Sequence, residues 1–71
     1  MGYAKLLRSF GRRLTNLRKR RGKTIEKLAY ENSLSKGNLS ELEKGLRDPR
    51  LTTLYKIAHG LEIKLRDLVD F

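Results

Sequence analysis

The 71-residue sequence predicts an all-α domain of five short helices. Three observations carry that prediction. Apolar residues recur at helical spacing almost throughout, no stretch alternates with the period of two that a strand needs, and capping residues punctuate the apolar runs. A chain this short makes one small domain and buries only about 60% of its unfolded surface, so every core leucine counts.

Helix 1 follows from Phe10, Leu14 and Leu17 at i, i+4 and i+7, with Leu6 and Leu7 extending the stripe upstream. Arg21-Gly22 ends it, because glycine supplies the left-handed conformation of a helix C-terminus. Gly11 lies inside the pattern at a cost of about 1 kcal/mol relative to alanine. That leaves two starts open. Residues 1–8 are either an extension of helix 1 or an N-terminal arm before a domain of residues 9–71. Helix 2 starts after the N-cap Thr24 and runs through Ile25–Glu31, with Leu28 and Ala29 inward, until Asn32-Ser33 interrupts it. Ser35 caps helix 3, and Leu34 and Leu39 take the positions of a hydrophobic staple. Leu39, Leu42 and Leu46 define its core side. Pro49, the only proline, lies in a loop. Helix 4 fits TTLYKIAH, with Leu54, Ile57 and Ala58 inward and Gly60 closing it. Helix 5 fits residues 65–70. Tyr30 and Tyr55 are expected to be half-buried packing residues, and His59 structural or solvent-facing.

Charge narrows the function. Seventeen Lys and Arg against eight Asp and Glu give +9, and residues 1–23 hold nine of the bases and no acid. Such a domain favours polyanions, with nucleic acid first and anionic membrane second. There is no cysteine and one histidine, so a disulfide framework, a thiolate metal site or a cofactor is not expected. No apolar run approaches the length of a membrane span, and no signal-peptide cleavage pattern is visible, which makes a soluble cytoplasmic protein the expectation. Scattered acids, no nucleophile beside a base and no glycine-rich phosphate loop argue against an enzyme.

Helix 2, a short turn and helix 3 meet the requirements of a helix-turn-helix. Ala29 is small enough for a close crossing, Leu34 supplies an apolar residue in the turn, and helix 3 has one bare side. On a wheel of about 100° per residue, Gly37 and Lys44 lie opposite Leu39, Leu42 and Leu46, with Ser40 and Glu41 beside them. Lys36 and Asn38 border this face in the first turn. Recognition helices touch base edges with their N-terminal residues, so Lys36, Gly37, Asn38, Ser40 and Glu41 are the candidate base contacts. Lysine donates to guanine O6 and N7, asparagine pairs with adenine, and glutamate accepts from cytosine N4. Gly37 lets the backbone approach closely.

With LR at Leu17-Arg18, Gly22, LA at Leu28-Ala29, LSELEKG from Leu39 to Gly45, Asp48-Pro49 and TLYKIAHGLEI in order, the chain resembles the helix-turn-helix domain of phage repressors, Cro-like proteins and restriction-modification controller proteins. The resemblance covers residues 9–70. It implies a five-helix fold, sequence-specific binding of double-stranded DNA and a homodimer on a two-fold operator. By it, base contact falls on Lys36, Gly37 and Glu41, and Arg18 forms a structural ion pair with Glu43. The chain departs from the pattern at Ile25, where the family usually has a phosphate-touching glutamine. That contact is then left to backbone N–H groups at the helix 2 terminus, beginning at Thr24.

Lys44 and Arg47, at the end of helix 3, and Arg12 and Arg13, near the start of helix 1, are the other candidate phosphate contacts. A solvated charged face is the plainer reading of each. The segment LEIKLRDLVDF holds more apolar side chains than one small core needs, leaving Ile63, Leu65, Val69 and Phe71 as a candidate dimer interface. No small-molecule effector site is evident. The alternatives are a helical protein-interaction module of the antitoxin kind with only nonspecific DNA affinity and, further off, a basic amphipathic helix on anionic membrane.

Overall fold

Five helices surround one apolar core in the computed structural model, which describes residues 2–71: α1 (Ala4–Arg20), α2 (Ile25–Glu31), α3 (Lys36–Glu43), α4 (Leu51–Gly60) and α5 (Leu65–Leu68). Helix 1 starts at Ala4, so residues 4–8 are its first turns; residue 1 of the expected arm lies outside the described residues. Thr24 and Ser35 cap α2 and α3 as their side-chain oxygens accept from the N–H groups of Lys27 and Asn38.

The core joins all five helices through Phe10, Leu14, Leu28, Ala29, Leu39, Leu42, Ile57, Ala58, Leu61 and Leu68. Seven of these are large side chains with almost no exposed surface, each worth about 2 kcal/mol of burial. Phe71 folds back so that its ring lies 6.2 Å from that of Phe10. Leu17, Ile25, Leu34, Leu54, Ile63 and Leu65 pack around the core and are partly buried.

One device ends the first four helices. In each, the second residue past the cap donates to the carbonyl five residues back: Lys23 to Arg18, Leu34 to Ala29, Leu46 to Glu41, and Ile63 to Ala58, at 2.9–3.2 Å. The residue between cap and donor takes a positive φ, at Gly22 (65°), Ser33 (55°), Gly45 (75°) and Glu62 (58°). This is the Schellman closure, and it satisfies carbonyls that would otherwise be orphaned.

Four expectations are corrected, the first two by that closure. Helix 4 is not closed by Gly60, which is helical and buried; Glu62 makes the turn. Gly60 is glycine for space, since an added Cβ would strike the Asn32 amide and a Leu28 methyl. Helix 3 stops at Glu43, so Leu46 is beyond the helix and 69% exposed rather than in the core. Helix 5 is shorter than expected, because Val69 already caps it. Tyr30 and Tyr55 are not half-buried: at 90% and 64% exposure they stand in solvent on the outer faces of α2 and α4.

Gly11 also has a use that periodicity did not show. A Cβ there would collide with the carbonyl oxygen of Glu43 and lie 2.8 Å from that of Leu42, so its absence lets α1 cross directly on the end of α3. Gly45 returns the contact, with the Arg8 backbone and Cγ 2.8 Å from its would-be Cβ. In chemical denaturation, Gly11→Ala should lose about 2–3 kcal/mol because backbone must shift. Glu62→Gly should gain about 1 kcal/mol by relieving its left-handed strain. Equal stability of both variants and the parent would contradict this reading of the crossing and the closure.

Candidate nucleic-acid interface

The exposed side of α3 is set by what the other side is fastened to. Glu43, in its last turn, takes a two-pronged contact from Arg18: Nε to Oε2 at 2.6 Å and Nη2 to Oε1 at 3.0 Å. The third guanidinium nitrogen donates to the Lys23 carbonyl at 2.8 Å. Thr15 Oγ1 lies 3.0 Å from Glu43 Oε1 and 2.8 Å from the Gly11 carbonyl, and its one proton serves either. The paired side chains are only 12% and 8% exposed. Hydrogen bonding to Glu43 holds the Arg18 guanidinium above its ordinary pKa, outweighing the opposing effect of burial.

With Leu39 and Leu42 in the core and Glu43 on α1, the first turn of α3 projects outward. Lys36 and Gly37 are exposed, Ser40 and Glu41 half-buried, and Lys44 exposed at the helix end. Nothing but the Ser35 hydroxyl, at 3.7 Å, comes near a Cβ added at Gly37. Asn38 differs from its neighbours. It is half-buried, and its Oδ1 is shielded with no hydrogen-bond partner. It borders a polar pocket of about 270 Å³ shared with Arg47, Asp48, Pro49, Arg50 and Thr53.

The cations of this surface are partly engaged. Lys36 Nζ pairs with Glu26 Oε2 at 2.7 Å, joining the first turns of α3 and α2. Its hydrogen bond, followed by a backbone one, holds the Glu26 carboxyl below its usual pKa. Arg47 Nη2 pairs with Glu41 Oε1 at 2.9 Å. Arg12 is exposed on α1, whereas Arg13 donates through Nε and Nη2 to the Asp67 carbonyl at 3.2 and 2.7 Å, tying α1 to α5. The Thr24 hydroxyl accepts from the Lys27 N–H in its own helix cap and keeps its proton free to donate. Two residues of this surface escaped the sequence reading, Glu26 and Arg50. The signal for Glu26 was its place in the first turn of a helix whose start lies beside that of α3; Arg50 had only its place after Asp48-Pro49.

The four proposed interface residues divide. Val69 and Phe71 are 42% and 52% exposed, while Ile63 and Leu65 pack partly against the chain's own core. With Leu6, Leu7, Phe10 and Leu54, the exposed pair lines an apolar cleft of about 190 Å³. Among the described residues no group of His, Cys, Asp or Glu could hold a metal ion, and no helix is long and apolar enough to cross a membrane.

A helix-turn-helix domain family matches residues 11–70. The chain belongs to that family. It is 39% identical over 61 residues to the HTH-type transcriptional regulator SlrR of Bacillus subtilis, a match spanning 84% of this chain and 40% of that protein. It is 33% identical over 63 residues to the control protein C.BamHI of Bacillus amyloliquefaciens, spanning 87% and 78% of the two. In three dimensions it matches the restriction-modification controller protein C.AhdI of Aeromonas hydrophila with a TM-score of 0.91 at 32% identity, covering 96% of this chain and 99% of that one. Fold and family together place the chain among DNA-binding regulators rather than enzymes.

The clamp on α3 gives a stability prediction. Glu43→Ala strands the Arg18 guanidinium in a half-closed site and should cost about 3 kcal/mol in urea unfolding. Arg18→Leu together with Glu43→Leu should recover part of that loss. A cost for Glu43→Ala no larger than that of an exposed pair would remove the clamp from the account.

Proposed function

We propose that the chain is a sequence-specific transcriptional regulator of double-stranded DNA, acting in the cytoplasm with α3 in the major groove. The observation that carries this reading is the bare first turn of α3, with Lys36 and Gly37 exposed on a helix whose opposite side is locked into the domain. The major groove, about 12 Å wide, admits such a helix. Lys36, Gly37, Ser40 and Glu41 then face base edges. Asn38 reads a base only by turning its amide out of the half-buried site beside Arg47.

Phosphates flank the groove where Arg12, Lys44 and Arg47 stand, with Thr24 contributing its backbone at the start of α2. Arg13 joins them only by giving up the Asp67 carbonyl. A homodimer on a two-fold operator completes the proposal. Val69 and Phe71 form its exposed apolar surface, extended by Leu6, while Ile63 and Leu65, partly buried against the core, contribute only what they leave exposed. Pairing there would set two recognition helices about 34 Å apart.

Duplexes recovered from a randomised pool test the specificity. Lys36→Ala should reduce the preference for recovered over random duplex by about tenfold while changing random binding little; Arg12→Ala, at a cation that holds no carboxylate among the described residues, should weaken both alike. Equal losses from both variants on every duplex would refute the division of roles. For the dimer, sedimentation at tens of micromolar should show concentration-dependent association that Phe71→Ser abolishes. A monomer throughout would refute the dimer.

A further inference from the structure

Two cations on or beside the proposed base-reading face, Lys36 and Arg47, each hold a carboxylate of their own chain. Lys36 reaches across the helix-turn-helix to Glu26, and Arg47 folds back from the loop after α3 to Glu41. Neither pair is a structural element. Their side chains are 62% and 61% exposed in the first and 52% and 44% in the second, where ion pairs add little stability. The Arg18–Glu43 pair, at 12% and 8%, shows what a structural pair looks like in this domain. These four side chains bring a local charge of zero to a protein whose net charge is +9. Glu26 is the first acid in the sequence, and it lies against the proposed recognition helix.

We infer that Glu26 and Glu41 are specificity-determining residues, each holding a cation in an intramolecular pair that opens on the correct base sequence and stays closed on other duplexes. This rests on the proposed reading of α3 as the element that enters the major groove. On a wrong sequence, Lys36 could only exchange one solvated anion for another, and the Glu26 charge would be left unpaired beside the phosphates. Over a guanine it gains two acceptors, O6 and N7, inside the groove. Arg47 follows the same rule on the backbone side. In the correct register it trades Glu41 for a phosphate, and the released carboxylate can accept from cytosine N4. The acid that looked misplaced on a DNA-facing helix then has two successive partners.

Counterion release makes the inference measurable. A cation that stays with its carboxylate neutralises no phosphate, while one that leaves adds about 0.9 to the magnitude of the log–log salt slope. The experiment compares wild type, Glu26→Gln, Glu41→Gln and Glu31→Gln by fluorescence anisotropy over a range of salt, on random and on selected duplex. Glu31 is the control. It pairs with Lys23 at 3.0 Å, whose ammonium also donates to the Gly60 carbonyl, so its loss changes net charge equally without releasing a recognition-face cation.

Glu26→Gln and Glu41→Gln should each steepen the random-duplex slope by about 0.9 and raise random-duplex affinity by about three- to tenfold. The selected-duplex slope should hold, so discrimination narrows, and Glu31→Gln should leave both slopes in place. Unchanged random-duplex slopes, equal changes on both duplexes, or the same change in Glu31→Gln would each overturn the inference. Failure of the proposed function reads differently: wild type would then prefer no duplex, while the random-duplex slopes would still report whether the pairs restrain their cations.

Discussion

The orientation of α3 depends on one close crossing. Helix 1 passes over the end of α3 at Gly11, where backbone carbonyls occupy the space a side chain would need. One turn further along α1, Thr15 meets Glu43, and another turn on, Arg18 grips the same carboxylate from two sides. Gly45 closes the other flank against Arg8. Steric contact fixes how near the helices come, and the bidentate ion pair fixes their rotation. Both act on the last turn of α3 and leave its first turn uncovered. The planar guanidinium fork explains why arginine suits this place: a lysine would supply a point charge without fixing the angle.

From that fixed end, the chemistry of the open face follows. The Schellman turns at Ser33 and Gly45 delimit α3 to eight residues, so Leu46 leaves the helix and the chain turns through Arg47 to Pro49 toward α4. This brings Arg47 beside Glu41 and places the starts of α2 and α3 close enough for Glu26 to reach Lys36. Two neutral pairs thereby sit on this face of a strongly basic chain, while Lys5, Arg8, Arg12 and Lys19 on α1 hold no carboxylate among the described residues. On the proposed reading, the unpaired cations of α1 serve attraction to polyanions and the paired ones beside α3 serve discrimination among them.

Much of this was legible in the residues. Thr24 and Ser35 announced their helices because capping is local chemistry, and Leu14, Leu28, Leu39, Leu42 and Ile57 announced the core because burial follows a simple period. Helix ends were less legible. Two of the four left-handed closures use Ser33 and Glu62, which carry no glycine signal, and the true glycine at Gly60 serves packing instead. Gly11 looked like a helix defect because its reason lies 32 residues away on another element. The fate of charges was the least legible part. Lys36, Arg13 and Arg47 look alike in the sequence, yet one meets Glu26, one the Asp67 carbonyl and one Glu41, pairings that only tertiary structure creates.

Amide shift mapping of the isotopically labelled protein, titrated with a duplex recovered from a randomised pool, tests the central claim most directly. The account predicts that the largest shifts fall on Lys36, Gly37, Ser40 and Glu41, with smaller ones along Arg12, Lys44 and Arg47. Shifts confined to the basic side of α1, or centred on α5, with the first turn of α3 unmoved, would contradict it.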